Sequence, residues 1–246
     1  MNKEHLFLST TASDASSVAR QYGLGLEIAE FCTAWNMDDK FPESDALVRQ
    51  KLEGIKHCVL HAPFNELFPC AIDPKARELA RYRYRQAIAL ARTYGAKKVV
   101  IHGGYHPWIY YPVWYTEQSI LFWEDFLAED PGVELVLENV LEPEPDMLTD
   151  IIRSVNNPWL GMCLDVGHVN AYSKRPVTEW LERCAPWIRH FHIHNNDGSW
   201  DTHSALNSGT IPMKEFLARA ENLCPEATFT LELMEAEASV RWLLEE

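Results

Sequence analysis

The sequence predicts a single (β/α)₈ TIM barrel covering residues 1–246. Short apolar runs rich in β-formers alternate with helical stretches along the whole chain. Eight units of this kind fit a closed parallel barrel, because each parallel strand needs a helical crossover before the next. The length of 246 residues is ordinary for one such domain. Metal-binding side chains also lie where six of the runs end, which is typical of a barrel rim.

The elements follow in a regular order. The predicted strands are LFLST, LGLEIAE, CVLHAPF, KKVVIHGG, ELVLENV, LGMCLDVGH, IRHFHIHNND and TFTLELM, at 6–10, 24–30, 58–64, 97–104, 134–140, 160–168, 188–197 and 228–234. The predicted helices cover 14–23, 45–54, 75–94, 117–128, 146–153, 177–184, 213–221 and 237–245. Gly95 is expected to cap the third helix, because glycine readily adopts the left-handed conformation at a helix end.

Composition limits the function classes. A hydrophobic content of 47% is enough to bury a full core, and the net charge of −14 opposes binding to duplex DNA, which basic surfaces normally hold. No apolar run reaches membrane-spanning length, and the N-terminus lacks the features of a signal peptide. We therefore expect a soluble, cytoplasmic protein. The six cysteines form no CxxC pair, which disfavours disulfides and thiolate metal sites.

The rim residues give the main clue to function. Nine candidate metal ligands lie at or just past strand ends: His61, His102, Glu138, Asp165, His168, His194, Asp201, His203 and Glu232. One such residue is usually hydrogen-bonded structure, but nine from six consecutive units predict a metal site. Carboxylates mixed with imidazoles suit Zn²⁺ or Mn²⁺. Two positions earlier, the same inward face carries Val59, Val100, Val136, Cys163, His192 and Thr230. We expect His190 and His192 to be hydrogen-bonded core rather than ligands.

The ordered motifs resemble the xylose-isomerase-like TIM-barrel superfamily. They are HAPF at 61–64, IHGG at 101–104, LENV at 137–140, LDVGH at 164–168, HNND at 194–197, DTH at 201–203 and LEL at 231–233. The resemblance covers nearly the whole chain. It implies a central metal held by Glu138, Asp165, His194 and Glu232, with the two glutamates as acid and base in a sugar isomerase or epimerase. His168 would contact a substrate oxygen.

A second member type, endonuclease IV, implies a different chemistry. The resemblance to endonuclease IV implies the same centre extended to three zinc ions. Glu138 would bridge to a metal held by His61 and His102. A third metal would be held by His168, Asp201 and His203. Such a cluster would cleave a phosphoester. The number of metal ions per chain, between one and three, is thus left open by the sequence. The acidic net charge favours a small sugar or phosphoester as substrate over DNA. A barrel that binds a ligand without turnover is a third possibility.

Several other residues are candidates for substrate contact. The aromatic loop GYHPWIYYPVWYTE at 104–117 contains Tyr105 and Trp108 and could form a lid over a sugar ring. Its aromatic residues could equally serve packing or an interface. Glu27 in the second strand and Lys174 after the sixth strand are further candidates.

Overall fold

Eight parallel strands close into a barrel in sequence order, and β1 completes the ring by pairing with β8. The structure is a computed structural model that describes residues 2–173 and 175–244. Lys174, a predicted substrate-binding residue, lies outside this part of the chain. The strands are β1 (Leu6–Ser9), β2 (Gly25–Ile28), β3 (Cys58–His61), β4 (Lys98–His102), β5 (Glu134–Glu138), β6 (Leu160–Asp165), β7 (Ile188–Ile193) and β8 (Thr228–Leu231). The predicted fold class is confirmed.

The described residues contain nine α-helices, one more than predicted. They are α1 (Ala15–Tyr22), α2 (Phe41–Leu52), α3 (Pro74–Tyr94), α4 (Pro112–Phe126), α5 (Asp146–Val155), α6 (Val166–Tyr172), α7 (Val177–Cys184), α8 (Met213–Leu223) and α9 (Glu237–Leu244). The additional helix is α6, which replaces the predicted end of the sixth strand. Asp165 ends β6 and caps α6 by accepting a 2.7 Å hydrogen bond from the His168 backbone N–H.

Local signals at both ends define α3. Asp73 accepts a hydrogen bond from the Lys75 backbone N–H, and Pro74 occupies the first turn, where its missing N–H is harmless. Gly95 ends the helix at φ 73°, in the left-handed region. The predicted glycine cap is therefore confirmed.

The aromatic loop is shorter than predicted, because α4 begins at Pro112. Tyr115 consequently faces the core, where it is completely buried, and Trp114 donates from Nε1 to the Cys70 carbonyl at 2.9 Å. Trp108 and Tyr111 remain on the surface. The structure thus divides this segment between packing and an exposed tip.

The barrel interior is separate from the outer core. The apolar side chains that line the interior form a cluster of Val100, Val136 and Cys163, distinct from the extended core between barrel and helices. Lys98 lies below this layer, where its Nζ contacts Thr228 Oγ1 at 2.9 Å and Glu134 at 3.3 Å. The layer and its base support the rim residues above them. Within the described ranges, no helix combines the length and apolarity needed to cross a bilayer.

Candidate active site

The predicted rim residues converge where the strands end. His61, His102, Glu138 and Asp165 are the last residues of their strands, His168 lies in the first turn of α6, and His194 directly follows β7. Asp201 and His203 lie in the loop between β7 and α8, and Glu232 directly follows β8. Parallel strands in a closed barrel carry their carboxyl ends to one face, so separate segments meet there.

Glu138 is the centre of the cluster. Its Oε2 lies 3.1 Å from His61 Nε2 and 3.4 Å from His102 Nε2. Its Oε1 lies 3.1 Å from His192 Nδ1 and 3.4 Å from His168 Nδ1. Burial alone would raise the pKa of Glu138, but the facing imidazoles, His192 first, outweigh it and hold the pKa well below the usual range. Glu138 is therefore ionised and can bridge two cations.

Among the described residues, five groups have ligand atoms within 4.8 Å of one another and could each hold a metal ion. Three of these groups contain most of the predicted rim ligands. They are His61–His102–Glu138, Glu138–Asp165–His192–Glu232 and His194–Asp201–His203. The second group contains His192 where the resemblance implies His194. His194 instead lies with Asp201 and His203, although its Nε2 is still 3.2 Å from both Asp165 oxygens. His168 joins the third group through its Nε2, 3.3 Å from Asp201 Oδ2.

Two buried polar atoms support a cation at the third group. Within the described residues, His194 Nδ1 and Asp201 Oδ1 are buried without a hydrogen-bond partner, and they lie 3.5 Å apart. Buried polar atoms normally have partners, and a cation between such donors would supply one. At the first group, burial lowers the pKa of His102 to about 3. Its imidazole is therefore neutral, the form that binds metal. Burial would also lower the pKa of His61 in the same group, but contacts with Cys32 and Glu138 raise it well above the usual value.

The pKa values of Glu138 and Glu232 are shifted in opposite directions, although oxygens of the two carboxyl groups lie within 4.8 Å of each other. Burial, the largest influence on Glu232, raises its pKa above the usual 4.5 in spite of nearby His192. Glu138 keeps its charge, because four imidazoles face it, whereas Glu232 is pushed toward the protonated form. Two carboxyl groups with opposed pKa shifts are the arrangement expected of a base and an acid.

Asparagine side chains that the sequence reasoning missed hold the ligand segments. Asn139 forms a paired contact with the Asp165 backbone, accepting at 2.9 Å and donating at 3.0 Å. Asn195 donates to the Leu206 and Ile211 carbonyls at 2.9 and 3.1 Å, which closes the loop that carries Asp201. The sequence signal for these residues was their position directly after a predicted ligand: Asn139 follows Glu138 in LEN, and Asn195 follows His194 in HNN. An asparagine amide can both donate to and accept from the backbone, so it can fix a neighbouring segment.

The loop between β7 and α8 also contains backbone strain. His203 has φ 46°, in the left-handed region that residues other than glycine rarely occupy. Its Nδ1 lies 3.0 Å from the Glu232 carbonyl, and its Nε2 lies 3.0 Å from Asp201. Strained backbone of this kind persists where the surroundings enforce it, often at functional sites.

The predicted substrate-binding residues are dispersed. Tyr105 is buried, with its ring 5.1 Å from that of Tyr115. Trp108 is 91% exposed at the tip of its loop. Glu27 is fully buried on the inward face of β2. A different aromatic pair, Tyr172 and Trp200, borders the site, because the Tyr172 ring lies 6.2 Å from that of His168 and 6.0 Å from Trp200.

Comparison with known proteins identifies the class. The model of the xylose isomerase-like TIM barrel family matches residues 19–245. The chain therefore belongs to this family, as the sequence motifs predicted.

Particular relatives give finer resemblances. An uncharacterized Methanocaldococcus jannaschii protein, MJ1311, is 30% identical over 71% of this chain, which spans only 63% of that relative. A fructoselysine 3-epimerase of Escherichia coli O157:H7 is 28% identical over 44% of this chain and 41% of its own. The TTHB071 protein of Thermus thermophilus, a structure soaked with ZnCl₂, has 26% identity and a TM-score of 0.78 over 99% of this chain and 97% of that one. A D-tagatose 3-epimerase-like protein has 24% identity and a TM-score of 0.79 over 98% and 96%, and shares the fold.

Proposed function

We propose that this protein is a metal-dependent epimerase or isomerase of a sugar, sugar phosphate or related polyol. The observation that carries the proposal is the pair Glu138 and Glu232, two carboxyl groups whose oxygens lie within 4.8 Å of each other at the barrel rim. Their opposed pKa shifts support it. The similarity to a fructoselysine 3-epimerase supports sugar chemistry.

The donor set fits a divalent ion, Zn²⁺ or Mn²⁺. Glu138, Asp165 and Glu232, together with an imidazole from His192 or His194, would hold it, and the bound ion would polarise a substrate carbonyl. The ionised Glu138 takes the proton from the neighbouring carbon. Glu232 holds a proton and delivers it to the substrate from its own side.

The test is exchange of a carbon-bound hydrogen with deuterium from solvent. The probes are D-tagatose, D-psicose and fructoselysine, followed by NMR with the Mn²⁺-loaded protein. Glu232→Gln should abolish formation of the deuterium-labelled epimer or isomer, because the amide cannot deliver the hydrogen. Glu235→Gln changes an exposed acid three residues away and serves as the matched control. Unchanged formation of labelled product in Glu232→Gln would remove this residue from the acid–base role.

The three adjacent groups favour a second candidate, a phosphoester hydrolase with up to three zinc ions. His203→Ala should then lower bound zinc by about one equivalent per chain, because a ligand of the third group is lost. It should also slow cleavage of p-nitrophenyl phosphate. His106→Ala, a histidine outside the rim groups, is the control. Elemental analysis that shows the same zinc content in His203→Ala would contradict this candidate.

A further inference from the structure

A polar cluster lies inside the barrel below the rim. It consists of Glu27, His190, His192 and Thr230, and each residue is completely buried. Thr230 Oγ1 donates to Glu27 Oε2 at 2.7 Å. His190 contacts Thr230 Oγ1 at 2.9 Å and Thr228 Oγ1 at 2.6 Å, so both of its ring nitrogens are satisfied. His190 Nε2 also lies 3.3 Å from Glu27 Oε2. With Thr230 and His192, three side chains of β7 and β8 therefore hold the Glu27 carboxylate.

His192 connects this cluster to the rim. Its Nε2 lies 3.2 Å from Glu27 Oε2, and its Nδ1 lies 3.1 Å from Glu138 Oε1. The imidazole thus stands between one carboxylate in the barrel interior and one at the centre of the site. His61 and His102 contact the other oxygen of Glu138. Both Glu138 oxygens are held, and His192 is the contact from below.

We propose that Glu27 is a positioning residue that, through the His192 imidazole, holds the group around Glu138 in the orientation needed to bind metal and move a proton. This inference rests on the proposed function. Glu27 orients the His192 ring through Nε2, and the ring then orients Glu138 through Nδ1. Partners of this kind behind a metal ligand fix its geometry.

The burial of Glu27 supports this role. A buried carboxylate destabilises a protein unless it is fully paired, and apolar replacements of buried ion pairs are often neutral or stabilising. Val59 is the register neighbour of Glu27 on β3 and is an ordinary apolar residue. Stability therefore does not explain a glutamate here, whereas orientation of Glu138 does.

The experiment measures Mn²⁺ affinity by isothermal titration calorimetry for Glu27→Gln, His192→Gln and the double variant. Each single change should weaken Mn²⁺ binding about 10- to 100-fold, the range seen for partners of metal ligands. The double variant should bind no more weakly than His192→Gln alone, because Glu27 acts through His192. Glu134→Gln is the control, since this acid of β5 pairs with Lys98 and Arg189 away from the site.

A conservative substitution separates positioning from structural support. His192→Asn places an amide nitrogen near the position of Nδ1, so it should retain more Mn²⁺ affinity than His192→Gln. Chemical denaturation confirms that each variant is folded. If Glu27→Gln does not fold, Thr230→Val removes the 2.7 Å bond to Glu27 and should weaken Mn²⁺ binding in its place.

The outcomes are distinguishable. Wild-type affinity in Glu27→Gln, or in Thr230→Val if that variant is the one measured, would overturn the positioning role and leave the proposed function intact. Losses that multiply in the double variant would also overturn it, because Glu27 would then act independently of His192. If the unmodified protein binds neither Mn²⁺ nor Zn²⁺, the proposed function fails, and this inference fails with it.

Discussion

Gly167 offers a sharp test of the geometry at the third group of possible metal ligands, His194, Asp201 and His203. It is the second residue of α6 and packs directly against the His194 ring. A Cβ added at this position would lie 1.9 Å from His194 Cε1, 2.3 Å from Nδ1 and 2.5 Å from Nε2. The whole imidazole face is therefore in contact, and Gly167→Ala cannot be accommodated unless His194 moves.

The magnitude follows from these distances. Ordinary van der Waals contact begins near 3.4 Å, so the ring must retreat by roughly 1.5 Å. Overpacking of this kind costs about 1–3 kcal/mol, whereas alanine is favoured over glycine in a helix by about 1 kcal/mol. We expect a net loss of about 0–2 kcal/mol in the free energy of unfolding. The same retreat would break the 3.2 Å contacts of His194 with Asp165.

The assay is urea denaturation of Gly167→Ala in the wild-type and His194→Ala backgrounds, both without metal. Removing the imidazole removes the obstacle, so only the helix-propensity gain should remain in the second background. Gly167→Ala should then stabilise His194→Ala by about 0.5–1 kcal/mol. An equal effect in both backgrounds would refute the reasoning, because the clash with His194 would not be the cause.

Three further predictions concern the surroundings of the site. Tyr115→Phe removes the 2.9 Å hydrogen bond to the buried Glu142 carboxyl. It should lower the free energy of unfolding by about 1–3 kcal/mol in urea titrations and leave the metal content unchanged. An unchanged free energy of unfolding would show that this bond is not stabilising. Burial raises the pKa of Glu142 above 4.5, so its contribution to stability is present below about pH 4.5 and is lost as the pH rises through the folded-state pKa. Glu142→Gln should flatten that part of the stability–pH curve, and an unchanged curve would contradict the assignment. Trp200→Ala should raise KM for the active sugar about 2- to 10-fold with kcat unchanged, as expected for loss of aromatic stacking, whereas Trp35→Ala, another exposed tryptophan, should change neither.

The sequence predicted the barrel and its rim because both depend on local patterns. Short β-rich runs, helical stretches between them and a glycine at position 95 are each visible within a few residues. In a parallel barrel this order also places every strand end on one face, so the convergence of distant residues needs no further information. This is why His61 and Glu232 could be assigned to one site although 171 positions separate them.

Two features could not be predicted in the same way. LGMCLDVGH indicates a strand through His168, but the strand ends at Asp165, whose side chain caps a new helix. His192, not His194, lies with Glu138, Asp165 and Glu232. Which histidine takes this place depends on the direction of the side chains at one level of the barrel. Asp165 is the register neighbour of His192, and Thr230 pairs with His192 on the other side. Sequence spacing shows that both histidines face inward, but not which lies level with Glu138.

The contrast between interior and exterior explains how the fold tolerates its charged centre. The extended apolar core lies between strands and helices, where it includes large buried side chains such as Trp123 and Trp180. That layer supplies the hydrophobic stabilisation, which scales with apolar area removed from water. The interior contributes a small apolar cluster and can therefore hold Glu27, His190 and His192 without loss of the fold. Changes in the outer core should consequently affect stability first, whereas changes in the polar interior should affect metal binding first.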